Sequence, residues 1–227
     1  MQKKPWMPKR TKSSTPDIAL PSIGNKDWAS IRRVLFIDES LNDSGAALFV
    51  DGKYVDQKNE DNIDIGFALT LQAHAPKPIK LVKYYDWVTG LIEQLLPDVV
   101  VGESHPFARG NAGTSIATLE TMAGIRYITM LLASIKKIPY ADFSASSVKL
   151  VMCGGSSASK EMVQLVLAGC GYRLPEYDKK PGVINGNVCD AIAMGEVICR
   201  MQKQEILRRA YIQSVGEGRP QTRTRRK

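Results

Sequence analysis

The sequence predicts an α/β fold in which helices pack on a mixed β-sheet. Short apolar runs of strand length alternate with longer segments whose apolar residues recur at helical spacing. Residues 34–37 and 99–101 are runs of the first kind, while residues 79–96 have the helical spacing and are followed by Pro97. The predicted order is βββαβαβα with further closing helices, and layer packing then places helices on the faces of a sheet.

The first part of the chain is predicted to form antiparallel strands. A buried strand ends at Asp38, and a polar turn leads through Gly45 into the second strand. Asp51 and Gly52 make a tight hairpin signal before the third strand. The expected strands cover residues 34–37, 46–50 and 53–55, with a further strand near residues 65–71.

Strands and capped helices alternate in the rest of the chain. Thr114 or Ser115 can cap a helix that runs to Ile135, and serine residues can cap the two helices that follow the next strand. After the helix over 79–96, we expect strand 98–102, the helix ending at 135, strand 138–143, a helical stretch containing Lys149, a helix over 157–168, a loop over 175–187 and a last helix over 188–211.

The positive charge of the chain lies at its two ends. The formal net charge is +8, of which residues 1–30 carry +4 and residues 201–227 carry +6, while the middle carries −2. Basic ends attract a polyanion by counterion release, although solvated ends without a partner would have the same composition. We therefore predict a basic flexible arm over 1–30, one domain over 31–212 and a basic tail over 213–227.

Composition and segment lengths exclude several classes of protein. No apolar run approaches the roughly 20 residues that span a bilayer. The first 16 residues lack the apolar core of a secretory signal, and their prolines would interrupt the amphipathic helix of a transit peptide. The four cysteines form no CxxC pair, so we expect reduced thiols in a cytoplasmic protein rather than a zinc site or a disulfide framework.

Three acidic residues occupy positions that suit a metal site. Asp38 and Glu103 each follow an apolar strand, and Asp190 lies in the first turn of an apolar helix. Sites in open α/β sheets gather at such strand ends, and carboxylate oxygens suit Mg²⁺ or Mn²⁺. Each residue alone also has a structural reading. Strand-end acids are common in solvated turns. Asn187 could simply cap the last helix, and Asp190 in its first turn would interact favourably with the helix dipole.

Several segments together resemble the motifs of the RuvC family of Holliday-junction resolvases. The resemblance extends over about residues 33–200, and the motifs occur in the order and on the elements that the family uses. They are Phe36-Ile37-Asp38-Glu39-Ser40-Leu41-Asn42-Asp43-Ser44-Gly45, Val99-Val100-Val101-Gly102-Glu103, the small pair Ala123-Gly124, Ser147-Val148-Lys149 with Lys160-Glu161-Met162-Val163, and Asp190-Ala191-Ile192-Ala193.

This resemblance implies an RNase H-like nuclease with a mixed five-stranded sheet and helices on both faces. Asp38, Glu103 and Asp190 would ligate Mg²⁺, for which Mn²⁺ can substitute, in a two-metal site that hydrolyses phosphodiester bonds. Lys149 and Lys160 would contact the scissile phosphate or its neighbours. The family further implies a homodimer that makes paired nicks in four-way DNA junctions, in the cytoplasm of a bacterial or phage-infected cell.

Two residues depart from the family pattern. The family usually has an acid or a histidine three residues before the last aspartate, where this chain has Asn187, a neutral and weaker oxygen ligand. The proline that usually follows the first aspartate is replaced by Glu39. We still count Asn187 among the expected metal ligands, and its neutrality leaves the strength of metal binding open.

The loop after Glu103 is expected to touch DNA. The family inserts an aromatic residue into the junction from this loop, and Phe107 is the candidate here, with Arg109 beside it as a further DNA contact. A loop aromatic can equally fold back on the core. His105 lies in the same loop and could also touch the substrate.

Four functions stay open on these residues. The first is a junction-resolving endonuclease, and the second a broader nuclease of forks and flaps, which the basic ends would suit. The third is a junction-binding protein that has lost cleavage, a reading that only Asn187 supports. The retained acids argue against it, because carboxylates repel DNA unless a metal intervenes. The fourth is an RNase H-like domain that acts on RNA or in transposition.

Overall fold

The computed structural model describes residues 18–40, 42–56, 67–72, 74–104, 116–177 and 180–217. A short 3-10 helix covers Trp28–Ser30. The strands are β1 (Arg33–Asp38), β2 (Asp43–Val50), β3 (Lys53–Val55), β4 (Ala68–Thr70), β5 (Val99–Glu103), β6 (Tyr140–Phe143), β7 (Glu176–Tyr177) and β8 (Lys180–Ile184). The helices are α1 (Lys77–Leu95), α2 (Ile116–Ile135), α3 (Ala145–Cys153), α4 (Lys160–Gly169) and α5 (Gly186–Glu217).

The main sheet is mixed, as predicted. Its order is β3-β2-β1-β5-β6, with β1 antiparallel to β2 and parallel to β5, and β5 parallel to β6. On the edge of β2 that faces away from β1, strand β4 pairs with the first residues of β2 and strand β3 pairs with its last residues. These two short strands share the outer position, so six strands fill the five positions of the expected sheet.

Helices cover both faces of the sheet because its central strands are apolar on both sides. Residues Val34–Ile37 of β1 and Val99–Val101 of β5 are buried, which is typical of strands enclosed in an α/β sandwich. On one face α1 packs against α2, and α2 contacts β5 and β6. On the other, α5 crosses β1 and β2 and carries α3 and α4.

Close packing between α5 and β2 depends on two glycines. A Cβ atom at Gly45 would lie 2.2 Å from the backbone carbon of Asn187, and one at Gly195 would lie 2.1 Å from the Phe49 ring. Any side chain at Gly45 would therefore push the first turn of α5 away from the sheet. The phenylalanine that Gly195 accommodates also stacks edge-on against Phe36, with ring centroids 5.5 Å apart.

The N-terminal segment and the loop before α5 differ from the prediction. Residues 18–30, expected in the flexible arm, pack on the domain with Ile23 and Trp28 buried, and the Trp28 indole nitrogen donates to the Pro21 carbonyl. Apolar side chains in this segment provide the reason, since the core covers them. Helix α5 continues to Glu217, into the predicted tail. The loop expected over 175–187 contains the β7–β8 hairpin.

The remaining structural expectations concern thiols and membranes. All four cysteines are free, with Cys189 buried and Cys170 exposed. Among the helices of the described residues, none combines the length and apolarity needed to cross a bilayer.

Candidate active site

Asp38 and Glu103 meet at the carboxyl ends of two neighbouring parallel strands. The register pairs Ile37 of β1 with Gly102 of β5, so the following residue of each strand reaches the same edge of the sheet. Asp38 is buried, at 7% exposure, and Glu103 is half-buried. The carboxyl group of Glu103 is close enough to share a hydrogen bond with that of Asp38.

The first turn of α5 brings Asn187 and Asp190 to the same edge. The cap of this helix is Asn185, whose side-chain oxygen accepts from the backbone nitrogens of Asn187 and Val188, each at 3.2 Å. The reading of Asn187 as the helix cap is therefore wrong, because the chain enters the helix two residues earlier than predicted. Asn187 is left free to direct its side chain to the site.

Both predicted lysines line the same cleft as the acids. Lys149 comes from α3, which Ser144 caps by accepting from the Ser147 nitrogen, and Lys160 is the first residue of α4, which Ser159 caps. The cleft has a volume of about 260 Å³. Its lining includes all six predicted catalytic residues: Asp38, Glu103, Lys149, Lys160, Asn187 and Asp190.

The acids of the cleft repel one another. Burial raises the pKa of Asp38 well above its ordinary value, and the neighbouring carboxyl groups of Glu103 and Asp190 raise it further, while Lys160 opposes this. Burial also raises the pKa of Asp190, against the hydrogen bond and charge of Lys160. A buried group of carboxylates therefore needs a positive partner to remain ionised at neutral pH.

Lys160 supplies part of that positive charge. Its ammonium nitrogen lies 2.8 Å from Asp190 Oδ2 and 3.0 Å from Asn187 Oδ1. Burial lowers the pKa of Lys160, but the hydrogen bond and charge of Asp190, together with Asp38 and Glu103, outweigh it and the pKa is raised. Two oxygen ligands of the predicted metal site thus already converge on one cation.

Glu39, which follows Asp38, borders the same cleft, but its carboxyl group lies towards Thr129 of α2. Its side chain is 1% exposed and neither carboxyl oxygen meets a hydrogen-bond partner in good geometry. Burial raises its pKa to about 8, partly offset by the Thr129 hydroxyl of α2. Successive side chains of a strand alternate between faces, so Glu39 points towards α2 and cannot substitute for the acid missing at residue 187.

The donor set fits a hard divalent cation. It consists of carboxylate and amide oxygens, the ligands that Mg²⁺ and Mn²⁺ prefer, and the mutual repulsion of the acids favours a positive ion between them. Among the described residues, no three Asp, Glu, His or Cys side chains are already close enough to enclose a metal. Beside the acids, the polar groups of the cleft include the Asn187 amide and the ammonium of Lys160.

Other expected DNA contacts lie outside the described residues, namely Phe107, Arg109 and His105. The small residue Gly124 is described, and a Cβ added there would meet nothing within 4 Å, so no described residue packs tightly against that position.

Two residues near the site were not expected from the sequence. The backbone carbonyl of Asp43 accepts from Asn187 Nδ2, and the Tyr177 hydroxyl donates to the Asp43 side chain. Asp43 could have been suspected from its place in the polar turn after Asp38. Tyr177 gives no such signal, because it is 134 residues from Asp43 in the chain.

Known structures of similar fold are junction resolvases. Thermus thermophilus RuvC superposes with a TM-score of 0.53 and 18% identity, covering 77% of this chain and 96% of that one. Its complex with a Holliday junction substrate also gives 0.53, with 17% identity and coverage of 73% and 91%. The yeast mitochondrial Holliday junction resolvase Ydc2 gives 0.53, with 16% identity and coverage of 82% and 85%. These likenesses confirm the RNase H-like fold.

Relatives by sequence point the same way, although no protein-family model matches the chain. The crossover junction endodeoxyribonuclease RuvC of Chloroflexus aggregans is 31% identical over 109 residues, which cover 46% of this chain and 63% of that protein. The protein of the same name from Dehalococcoides mccartyi is 31% identical over 133 residues, which cover 58% of this chain and 73% of the relative. With identity at this level over most of that relative, the chain belongs to the RuvC family of crossover junction endodeoxyribonucleases.

Proposed function

We propose that this protein is a metal-dependent endonuclease that resolves four-way DNA junctions during recombination and repair. The observation that carries the proposal is the convergence of Asp38, Glu103, Asn187 and Asp190, from three separate elements, with two lysines in one cleft. A binding protein has no use for buried, mutually repelling acids beside phosphate, whereas a nuclease uses them to hold cations. Membership of the RuvC family gives this chemistry its substrate class.

The residues of the cleft divide the work between them. Asp38, Glu103, Asn187 and Asp190 would hold Mg²⁺, which in a two-metal site stabilises the attacking and leaving oxygens of a phosphodiester displacement. Lys160 is half exposed, so its ammonium can leave Asp190 and contact the charged phosphate oxygens when DNA is bound. Lys149 lies on the neighbouring helix and would position an adjacent phosphate.

The enzyme would act as a homodimer, since paired nicks need two active sites. Helix α2 carries a stripe of exposed apolar side chains at four-residue spacing, Leu119, Tyr127, Leu131 and Ile135, of which Tyr127 is 61% exposed. Ala123 continues the stripe, and the open space at Gly124 would let a second helix approach closely. An exposed apolar stripe of this kind favours burial against a second copy.

The dimer can be tested by changing this stripe. Tyr127→Glu and Leu131→Glu should convert a dimer into a monomer in light scattering after gel filtration, because each would bury a charge in the interface. Leu165→Glu on α4 is the matched control, since Leu165 is 67% exposed but lies off the stripe. A wild-type monomer would refute the dimer.

The substrate class can be tested with purified protein and labelled DNA. Four-way junctions, flaps and linear duplexes would be incubated with Mg²⁺, with Mn²⁺ or with EDTA. Symmetrical nicks in the junction alone, absent in EDTA, are the expected result. Equal cleavage of flaps would favour the broader branched-DNA nuclease, and junction binding with no cleavage in either metal would favour a binding protein. Because the substrate is DNA, we expect the enzyme in the cytoplasm of a bacterial or phage-infected cell.

A further inference from the structure

The side-chain amide of Asn187 is held in one orientation by two different partners. Its nitrogen Nδ2 donates to the backbone carbonyl of Asp43 at 2.5 Å, and its oxygen Oδ1 accepts from the Lys160 ammonium at 3.0 Å. If the amide rotated by half a turn, its NH₂ group would face the Lys160 ammonium and its oxygen would face the Asp43 carbonyl. Both contacts would be unfavourable, since the first joins two donors and the second two acceptors. The oxygen of Asn187 is therefore directed into the cleft.

Asp43 is itself fixed by groups on two other elements. Its carboxylate accepts a hydrogen bond from the Tyr177 hydroxyl of the β7–β8 hairpin and another from the Thr70 hydroxyl of β4, the latter at 3.0 Å. Burial, with the nearby charge of Asp43, raises the pKa of Tyr177 to about 12, so the phenol keeps its donor proton at neutral pH. The hairpin thus reaches back to the start of β2, beside the site.

We propose that Tyr177 and Asp43 are positioning residues for the cation site, acting through the amide of Asn187. The proposal rests on the proposed function, because it assumes that the Asn187 oxygen faces a divalent cation. The β7–β8 hairpin then has a role, since its Tyr177 fixes Asp43, whose carbonyl fixes Asn187.

A neutral ligand needs this support more than a carboxylate does. An amide oxygen attracts a cation weakly and, unlike a carboxylate, offers only one oxygen, so a rotated amide would present its NH₂ group instead. Partners that orient a ligand contribute strongly to metal affinity, and a ligand set that is held in place in advance loses less freedom on binding. The Asp43 carbonyl can orient an amide but not a carboxylate, because only the amide has hydrogens to donate.

The test measures Mn²⁺ binding to the full-length protein without DNA, by the loss of the free-ion electron paramagnetic resonance signal. Tyr177→Phe removes only the hydroxyl and should raise the Kd for Mn²⁺ by about threefold to tenfold. Asp43→Ala removes the partner of that hydroxyl and should have a similar effect. The double variant should be no weaker than Asp43→Ala alone, because both changes release the same amide.

Tyr172→Phe is the matched control. Tyr172 also donates its hydroxyl to a carboxylate, that of Glu196 on α5, but neither residue lines the cleft. This variant should bind Mn²⁺ like the wild type, and both tyrosine variants should keep the wild-type melting temperature in EDTA within about 3 °C. The proposal is overturned if Tyr177→Phe binds Mn²⁺ like the wild type or if Tyr172→Phe weakens binding equally. Should Tyr177→Phe fail to fold, Asp43→Ala decides in the same way.

Failure of the proposed function gives a different pattern. A wild type that neither binds Mn²⁺ nor cleaves junctions would refute the cation site and this inference together. A wild type that binds and cleaves, with a Tyr177→Phe variant that does both equally well, would refute the inference alone.

Discussion

Asp38 and Glu39 are consecutive residues whose side chains lie on opposite faces of the sheet. Asp38 faces the cleft, where burial and the carboxyl groups of Glu103 and Asp190 raise its pKa, while Glu39 faces α2 and the Thr129 hydroxyl. Both residues are buried, and the carboxyl group of Asp38 is the one that shares a hydrogen bond with Glu103. We therefore expect Asp38 to be a cation ligand, whereas burial raises the pKa of Glu39 to about 8 and favours its protonated form at neutral pH.

Glu39 should make the stability of the protein depend on pH. Its folded pKa is about 8 and its ordinary value 4.5, so the folded protein holds a proton that the unfolded chain releases. The free energy of unfolding should therefore fall as the pH rises from about 4.5 to about 8. Glu39→Gln removes the ionisation and should stabilise the protein at pH 8 by on the order of 1–3 kcal/mol, and much less at pH 5.

Urea denaturation in EDTA at the two pH values measures this effect. Glu93→Gln is the control, since Glu93 is exposed and paired with Lys136, so the loss of its charge should not stabilise the protein. A Glu39→Gln variant with the same gain at pH 5 and pH 8 would contradict the raised pKa.

The three acids should be needed for cleavage but not for binding DNA. Asp38→Asn, Glu103→Gln and Asp190→Asn should each reduce nicking of a four-way junction below detection, because each removes an anionic ligand. Binding in EDTA should be unchanged or tighter, since a negative charge near phosphate is lost. Gel assays of cleavage and mobility measure both, and full activity in any one variant would remove that residue from the site.

Lys160 should compete with a metal ion for Asp190 and Asn187, because its ammonium already contacts both side chains. Lys160→Met keeps the length of the side chain and removes its charge, so Mn²⁺ should bind about threefold or more tightly to the free protein. Junction cleavage should nevertheless fall by on the order of tenfold or more, because the phosphate contact is lost. Calorimetric titration and cleavage rates give the two results. Weaker Mn²⁺ binding in the variant would show that Lys160 supports the cation site rather than competing with it.

Asn187→Asp should be less stable than the wild type without metal. The change replaces the donor that faces the Asp43 carbonyl with an oxygen and adds a carboxylate beside those of Asp38, Glu103 and Asp190. In EDTA, we expect the free energy of unfolding to fall by about 1–3 kcal/mol, and Mn²⁺ should largely restore it. Thermal unfolding with EDTA and with Mn²⁺ measures this, and Asn187→Ser serves as an uncharged control. An equal melting temperature in EDTA would mean that Asp43 does not hold residue 187.

The basic ends should control the salt dependence of DNA binding. Residues 1–17 carry a net charge of +4 and residues 218–227 of +5. Their deletion spares the buried residues Ile23 and Trp28 and should weaken binding at moderate salt and flatten its dependence on salt concentration. Core cleavage at low salt should survive. Fluorescence anisotropy at about 50 to 200 mM salt measures how DNA affinity changes with salt concentration. An unchanged salt dependence would assign the ends another role.

The sequence alone determined the elements and most of the site. Apolar runs, helical spacing and capping serines are local signals, so strands, helices and their order could be predicted from them. Asp38, Glu103 and Asp190 were also within reach, because a position at the end of a strand or in the first turn of a helix is itself a local property. Sequence similarity then placed Asn187 and the two lysines beside them.

Only the tertiary structure decided how these residues are oriented. Which face Asp38 and Glu39 take, which asparagine caps α5 and which tyrosine reaches Asp43 all depend on contacts between segments far apart in the chain. Tyr177 of the β7–β8 hairpin reaches Asp43 of β2 through a hydrogen bond, and the first turn of α5 carries Asn187 to the site because it rests on Gly45. Such contacts leave no periodic pattern, since they depend on the arrangement of the whole core and not on neighbouring residues.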